Sequence, residues 1–468
     1  MKDYPAPRYP KLKKPSSEEV YRRIKDYVAV KEFPKGMSHE GGTSTRVHFI
    51  DKYDVKKGDR VLLVGSTEYD LEVLLGYAAI LKERGASVST FILDLEKANS
   101  PEECAAMEAT TLVVGEDNAA YTQFCSLLMG EAAKCLAKSE KFDFIIAGSA
   151  GPIPPDVPVR DWYRTTYISN EEIASKQIEL TPDLQFRIDQ IVYDQIMSLD
   201  KARLTDPEGT DVTWTNYDDK RPLRICHEFA KPLNIGLGGK PDCSGVVAGT
   251  INHMGAFPRI KAYVKNDLVV KVEGGGKFGD AWREKLETLN KLNIPPVPLY
   301  GDESKLYEFP GPGFFWYWEI SIGTRPGVFR LQKEGLQQCF ANFLHDRLRA
   351  GYIHNGFGVP STVSAARVYT KIGVPWTHVH IHSMFPTLEG KTKKGSTIKI
   401  IDKGHLMALD DPEVRKLASK YGDPDQLLRE CWIPAVPGIN VEGNYEIDYA
   451  KNPIPWIIKD AEAHPTFT

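Results

Sequence analysis

From Gly58 onward, short apolar runs alternate with stretches of helical composition. Arg60-Val-Leu-Leu-Val-Gly65 is apolar nearly throughout and too short for a helix, which predicts a strand buried on both faces. Leu71 to Glu83 predicts a helix, and Gly85 stops it. Val88 to Leu93 predicts the next strand. A strand, a helix and a strand in that order imply a parallel sheet. The pattern recurs with a helix over 119–138 and a strand over Phe142–Ala147. That strand ends in Gly148-Ser-Ala-Gly-Pro152, at the carboxyl end where ligands of open α/β sheets bind. The same residues also suit a plain turn. Residues 170–203 read as helical, and Asp206-Pro-Glu-Gly-Thr-Asp211 breaks the pattern.

After this break the strands become short and alternating, and glycine becomes dense. Lys261–Lys265 and Leu268–Val272 predict a hairpin around Asn266-Asp267. Helices are expected over 278–292 and 334–350. The expected fold is two-domain α/β: an N-terminal Rossmann-like parallel-sheet domain over 21–205 and a C-terminal α+β domain over 206–468 with a mostly antiparallel sheet. Pro5, Pro7, Pro10 and Pro15 make 1–20 an extended N-terminal arm.

Length and composition sharpen this picture. A chain of 468 residues exceeds one ordinary domain, and 42% hydrophobic residues suffice for a substantial core. The 59 Lys+Arg nearly balance 63 Asp+Glu, which argues against nucleic acid as the main partner. No run approaches the ~18–20 apolar residues of a membrane span, and the N-terminus lacks an apolar signal core. A cytoplasmic protein is expected, with no membrane partner. Seven scattered Cys without a CxxC predict reduced, buried thiols. No GxGxxG or GxxxxGK[ST] supports dinucleotide or P-loop chemistry.

The candidate chemistry lies in Trp376-Thr-His-Val-His-Ile-His-Ser-Met384. His378, His380 and His382 alternate with β-branched Val379 and Ile381. On a strand the three imidazoles share one face, ~7 Å apart along it. Neutral imidazole is the commonest metal ligand, so the triplet points to a metal site. His354 sits in the glycine-rich Gly351-Tyr-Ile-His-Asn-Gly-Phe-Gly358, where backbone can approach a ligand closely. Glu319 stands alone in the apolar run Phe314–Gly323. Its carboxylate needs a partner there, either a metal or Arg325, because desolvation costs several kcal/mol. His253 in Ile251-Asn-His-Met-Gly255 is a further acid/base or substrate-binding candidate, and Arg325 a further substrate-binding one.

Several segments resemble the thermophilic-type metallo-aminopeptidase family (the aminopeptidase T and S group) and its relative, 2,5-dihydroxypyridine dioxygenase. Gly209-Thr-Asp-Val-Thr213 is similar to the family's GTDLT. Glu319-Ile-Ser-Ile-Gly-Thr-Arg-Pro326 is similar to its ElGiGtNp. His354 stands where its HiAlG histidine does, and Thr377 to Leu388 parallels its HxD segment. The resemblance implies Glu319, His354, His378 and His380 as metal positions, an N-terminal domain closing over the site, and a homodimer or higher homo-oligomer. The departures are specific. Val246 stands where the family's first metal-binding Glu belongs, His380 replaces its Asp, and Ser361 replaces its catalytic Tyr. These losses argue against a dinuclear peptidase and leave one divalent ion, Mn, Zn or Fe, held by His354, His378, His380 and Glu319.

A divalent ion held by neutral imidazoles is a strong Lewis acid. The expected function is metal-dependent hydrolysis of a small cyclic carbonyl compound, anionic or enolisable, opening a C–C or C–N bond. Glu319 and His382 are the catalytic candidates. The alternatives are an Fe(II) ring-cleaving dioxygenase, a dinuclear aminopeptidase, and a metal-binding protein without catalysis.

Overall fold

The computed structural model describes residues 3–28, 55–67, 70–93, 100–110, 135–148, 159, 161–165, 170–174, 182–216, 228–233, 239–299, 302–328, 348–359 and 378–468. The expected helices over 119–138 and 334–350, most of the Gly148–Pro152 loop, and Ser361 lie largely or wholly outside them.

A four-stranded parallel sheet comprises β1 (Arg60–Ser66), β2 (Ser87–Leu93), β3 (Phe144–Gly148) and β4 (Asp161–Thr165), in the order β2-β1-β3-β4. Val61 and Leu63 face one core and Leu62 and Val64 another, so β1 is buried on both faces as its apolar run predicts. The helix Leu71–Glu83 covers one face through Val73, Leu74, Tyr77, Ile80 and Leu81. Beside it lies the helix Ser17–Val28, which inserts Val20 and Ile24 into the same core. The N-terminal arm is therefore extended only as far as Ser16. Its hydroxyl accepts from the Glu19 amide at 3.2 Å, an N-cap bond, and the helix starts at Ser17, just past this cap. The arm itself packs on the C-terminal end of the chain, where Arg8 pairs with Ile433 and Leu12 with Phe467.

Among the described residues the second sheet has twelve strands: β5 (Leu199–Thr205), β6 (Asp211–Thr215), β7 (Glu228–Pro232), β8 (Ser244–Ile251), β9 (Ala256–Lys265), β10 (Leu268–Gly274), β13 (Trp316–Gly323), β14 (Ile353–Gly358), β15 (His378–Ser383), β16 (Thr387–Thr392), β17 (Thr397–Asp402) and β18 (His405–Leu406). A separate pair is formed by β11 (Val297–Leu299) and β12 (Asp302–Tyr307). Along the large sheet the order is β15-β14-β13-β10-β9-β8-β6-β5-β16-β17-β18, with β7 on β13, and its pairings are antiparallel. The β9–β10 hairpin turns at Asn266 and Asp267, whose φ of 49° and 64° fit the left-handed turn predicted for that dipeptide.

Two boundaries differ from the expectation. The helix read over 170–203 is a short helix at Asn170–Ala174 and a long one at Pro182–Ser198; residues from Leu199 form β5. Ala202 and Leu204 are buried while Arg203 is exposed, a period of two that replaces the helical period. Asp206–Asp211 is the tight β5–β6 connection, closed by Asp206 N to Thr210 O at 3.0 Å. The expected division at 205/206 thus falls inside a hairpin of the large sheet. Its main core also takes Leu184, Ile188, Val192 and Ile196 from the long helix and Ala105 and Ala109 from the helix Pro101–Thr110.

Among the described cysteines, Cys104 and Cys243 are buried, whereas Cys135 is exposed, contrary to the expectation that the thiols are buried. Among the described residues, no helix is long and apolar enough to cross a membrane.

Candidate metal centre

Strands β13, β14 and β15 are adjacent, and their register sets the centre. β14 lies between the other two: Gly356 pairs with Glu319 on one side and His380 on the other, and His354 pairs with Ser321 and His382. A bulge between Tyr317 and Glu319 shifts this register, putting Glu319 opposite a residue without a side chain. Glu319 and His380 are thus two strands apart, about 9.6 Å at the backbone, and both reach over bare Gly356. Alternation along β15 sends Val379 and Ile381 into the main core and leaves His380 and His382 on the opposite face. His378 opens β15 opposite Gly358, and its side chain lies outside the described ones.

His253 arrives from the turn after β8. There Asn252 Oδ1 accepts from the amides of Met254 and Gly255, both at 2.9 Å, which fixes the short loop. The sheet curls so that β8 crosses close to β15. A Cβ on Gly249 would lie 2.6 Å from Ile381 Cγ2 and 2.7 Å from the His382 carbonyl oxygen, so only glycine allows this approach.

Four imidazoles and two carboxylates then converge, all buried. Ring centroids stand 3.8 Å apart for His253 and His380, 4.2 Å for His354 and His380, and 4.5 Å for His253 and His354. His354 Nε2 lies 3.5 Å from Glu319 Oε1. His382 Nε2 meets His253 Nδ1 at 3.0 Å, so one imidazole donates and the other accepts. Tyr352 presents an edge-on contact to His382 at 5.7 Å. On the far side, Glu108 from the helix Pro101–Thr110 reaches His380 Nδ1 at 2.5 Å.

Three overlapping groups have ligand atoms mutually within 4.8 Å: Glu319, His354 and His380; His253, His354 and His382; and Glu108, His253 and His380. The donor set suits a divalent first-row ion, being imidazole nitrogen with carboxylate oxygen. Glu319, His354, His380, His382 and His253, all singled out in the sequence, therefore meet in one place. Arg325, the substrate-binding candidate, is buried. It lies beyond the end of β13, where its backbone bonds to Leu348 and Ala350.

Glu108 escaped the reading of the sequence. The local signal was present: Cys104, Ala105, Glu108 and Ala109 form the buried stripe of one helix, so a carboxylate occupies an apolar face. A buried carboxylate there required a partner, but nothing local named His380, 272 residues away.

No known family's sequence profile matches the chain, and no curated protein does. Solved structures similar in fold include the following two. One is a 2,5-dihydroxypyridine dioxygenase from Pseudomonas putida KT2440, at 11% identity and a TM-score of 0.42, covering 86% of this chain and 100% of that one. The other is wild-type AmpT from Thermus thermophilus, at 14% identity and a TM-score of 0.41, covering 83% of this chain and 99% of that one. Values this low mark a distant likeness of fold and carry nothing about activity.

Proposed function

We propose that the chain is a metal-dependent hydrolase that opens a small cyclic carbonyl compound, with one divalent ion held by Glu319, His354 and His380. The observation that carries this reading is the convergence of those three buried side chains, with ligand atoms within 4.8 Å of one another. A bound ion would supply Lewis acidity, activating water and polarising the carbonyl.

The residues of the chain do the rest. Glu319 and Glu108 together balance a dication, which offsets the several kcal/mol that each buried carboxylate costs alone. Imidazoles alone would have left the ion's charge uncompensated. With both acids present, an anionic substrate gains less than the sequence suggested, and an enolisable neutral carbonyl is favoured. Glu319, committed to the ion, is not free to act as base. That work falls to the His382–His253 pair, whose 3.0 Å contact lets a proton taken at one ring pass to the other. Their burial keeps bulk water from that proton.

The test is elemental analysis of tag-free protein purified without added metal or air, followed by a panel of cyclic diketones and lactams assayed under argon. About one Mn or Zn per chain with turnover under argon is the expected result. Iron with turnover only in oxygen would replace the hydrolase with the ring-cleaving dioxygenase. Two ions per chain would restore the dinuclear peptidase. No metal after reconstitution sinks the centre.

A further inference from the structure

We infer that Glu108 is a positioning residue of this centre: its carboxylate holds His380 in the tautomer protonated at Nδ1, turning Nε2 toward Glu319 and His354. The inference rests on the metal-centre reading above and assigns a role to a residue outside the proposed ligand set.

Two bonds from one carboxylate carry it. Glu108 Oε1 meets His380 Nδ1 at 2.5 Å, and Glu108 Oε2 accepts from the His380 backbone amide at 3.3 Å. One side chain thereby fixes both the strand position and the ring of His380. Taken as ionised, the Glu108 carboxylate only accepts, and the ring nitrogen facing it donates. That leaves Nε2 as the lone-pair nitrogen for the centre. A carboxylate behind a ligating imidazole also raises its basicity, and losing such a partner typically weakens metal binding about 10–100-fold.

The helix carrying Glu108 is itself held rigidly, which a positioning role requires. Asn252 Nδ2 donates to the Ala105 carbonyl at 3.1 Å, tying the helix to the loop of His253. A Cβ on Gly255 would stand 1.9 Å from the Pro101 carbonyl oxygen, so glycine at that position lets helix and loop touch backbone to backbone. The Lys277 amide donates to Glu102 Oε1 at 3.0 Å, and Lys277 Nζ pairs with Glu103 at 3.1 Å, fastening the helix to the neighbouring Gly276–Leu289 helix. One helix from the first quarter of the chain thus supports two histidines of the C-terminal half. A purely space-filling Glu108 would have no reason to be a buried carboxylate among alanines.

The test uses the full chain labelled with ¹⁵N-histidine, and it has two readouts. In chelator-treated wild-type protein, His380 is identified by the resonance lost in His380→Gln. It is expected as the Nδ1–H tautomer with a strongly downfield Nδ1 proton, and in Glu108→Gln that proton moves upfield. Finding the Nε2–H tautomer in the wild type overturns the inference without need of a variant that folds. The second readout is the dissociation constant for Zn²⁺ and for Mn²⁺, measured by chelator competition. Glu108→Gln is expected to bind about 10–100-fold more weakly, with Glu108→Asp recovering part of the loss. Equal affinity in wild type and Glu108→Gln overturns the inference. A wild type that binds neither ion defeats the metal reading instead, and the tautomer then decides alone whether Glu108 governs His380.

Discussion

Two clusters of buried carboxyls stand among the described residues, and the chain compensates them in opposite ways. In the first, Glu108 and Glu319 face four imidazoles. In the second, Asp206 and Glu208 sit in the β5–β6 turn among hydroxyls and amides. Glu208 Oε1 accepts from Thr250 Oγ1 at 2.9 Å and from Tyr445 OH at 2.8 Å. Asp206 accepts from the amides of Glu208 at 2.8 Å and Phe385 at 3.2 Å. The nearby Arg259 guanidinium is engaged by Glu446 at 2.6 and 2.9 Å. Burial consequently pushes Asp206 up to about 7 and Glu208 up to about 8. Burial in the second cluster favours the protonated acids, whereas the first sets its carboxyls against bases able to share a cation. Buried acids alone therefore do not mark a chemical centre. The imidazoles do.

The sharpest break between the two is metal content. His354→Ala is expected to take the protein from about one ion per chain to less than about a tenth after dialysis, because His354 belongs to two of the three convergent groups. Glu208→Gln should leave the content at the wild-type value. Mass spectrometry of the dialysed proteins reads both. Full retention of metal by His354→Ala would show that the ion, if bound, sits elsewhere.

The next contrast is in pH. The folded state holds protons on Asp206 and Glu208 that the unfolded chain, with ordinary carboxyls, has already released. Their joint contribution to stability is therefore complete below about pH 4 and is lost as pH rises through the raised range of the pair, about 7 to 8. Each tenfold gain in proton affinity on folding is worth about 1.4 kcal/mol, so the effect is on the order of a few kcal/mol. Glu208→Gln imitates the protonated acid, so its melting temperature should fall less than the wild type's between pH 5 and pH 9. Parallel curves for the two proteins would mean that Glu208 is ionised in the folded state.

What was legible in advance follows how local each signal was. The Asn266-Asp267 turn and the alternation of His380 and His382 with Val379 and Ile381 depend on neighbours in sequence, and the described structure carries both. The β5 strand was hidden because Leu199–Arg203 continues a helix of good propensity; only pairing with β6 and β16 makes it a strand. The arm's end was misplaced by four residues because prolines were weighed without the Ser16 cap. Of the centre, the histidines and Glu319 were visible as misfits in their own segments. Glu108 was a misfit too, but in a weak one, a short alanine-rich helix whose meaning came only from a contact spanning most of the chain.

The smallest expected effect concerns a further buried acid, Glu430, which lies between the two solutions. It has permanent and titratable cations together: Arg349 at 3.3 Å and His405 at 3.5 Å. His405 also meets Asp410 at 2.7 Å, and its bond to Glu430 leads the causes that raise it to about 9. A folded value above the unfolded one means that charged His405 stabilises fully below about pH 6.5. That stability is lost as pH rises through about 9. Since the His405 side chain is 34% exposed, solvent screens the pair and the contribution should stay below about 1 kcal/mol. His405→Asn should therefore lower the melting temperature slightly at pH 7 and not at all at pH 10.5, with metal content unchanged throughout. Arg349 explains why the loss is small: its guanidinium meets Glu430 at 3.3 Å and the Met384 carbonyl at 2.6 Å, which keeps Glu430 from being left alone. A large loss at pH 7 would instead make His405 the main counter-charge of Glu430 and Arg349 chiefly a brace for the end of β15.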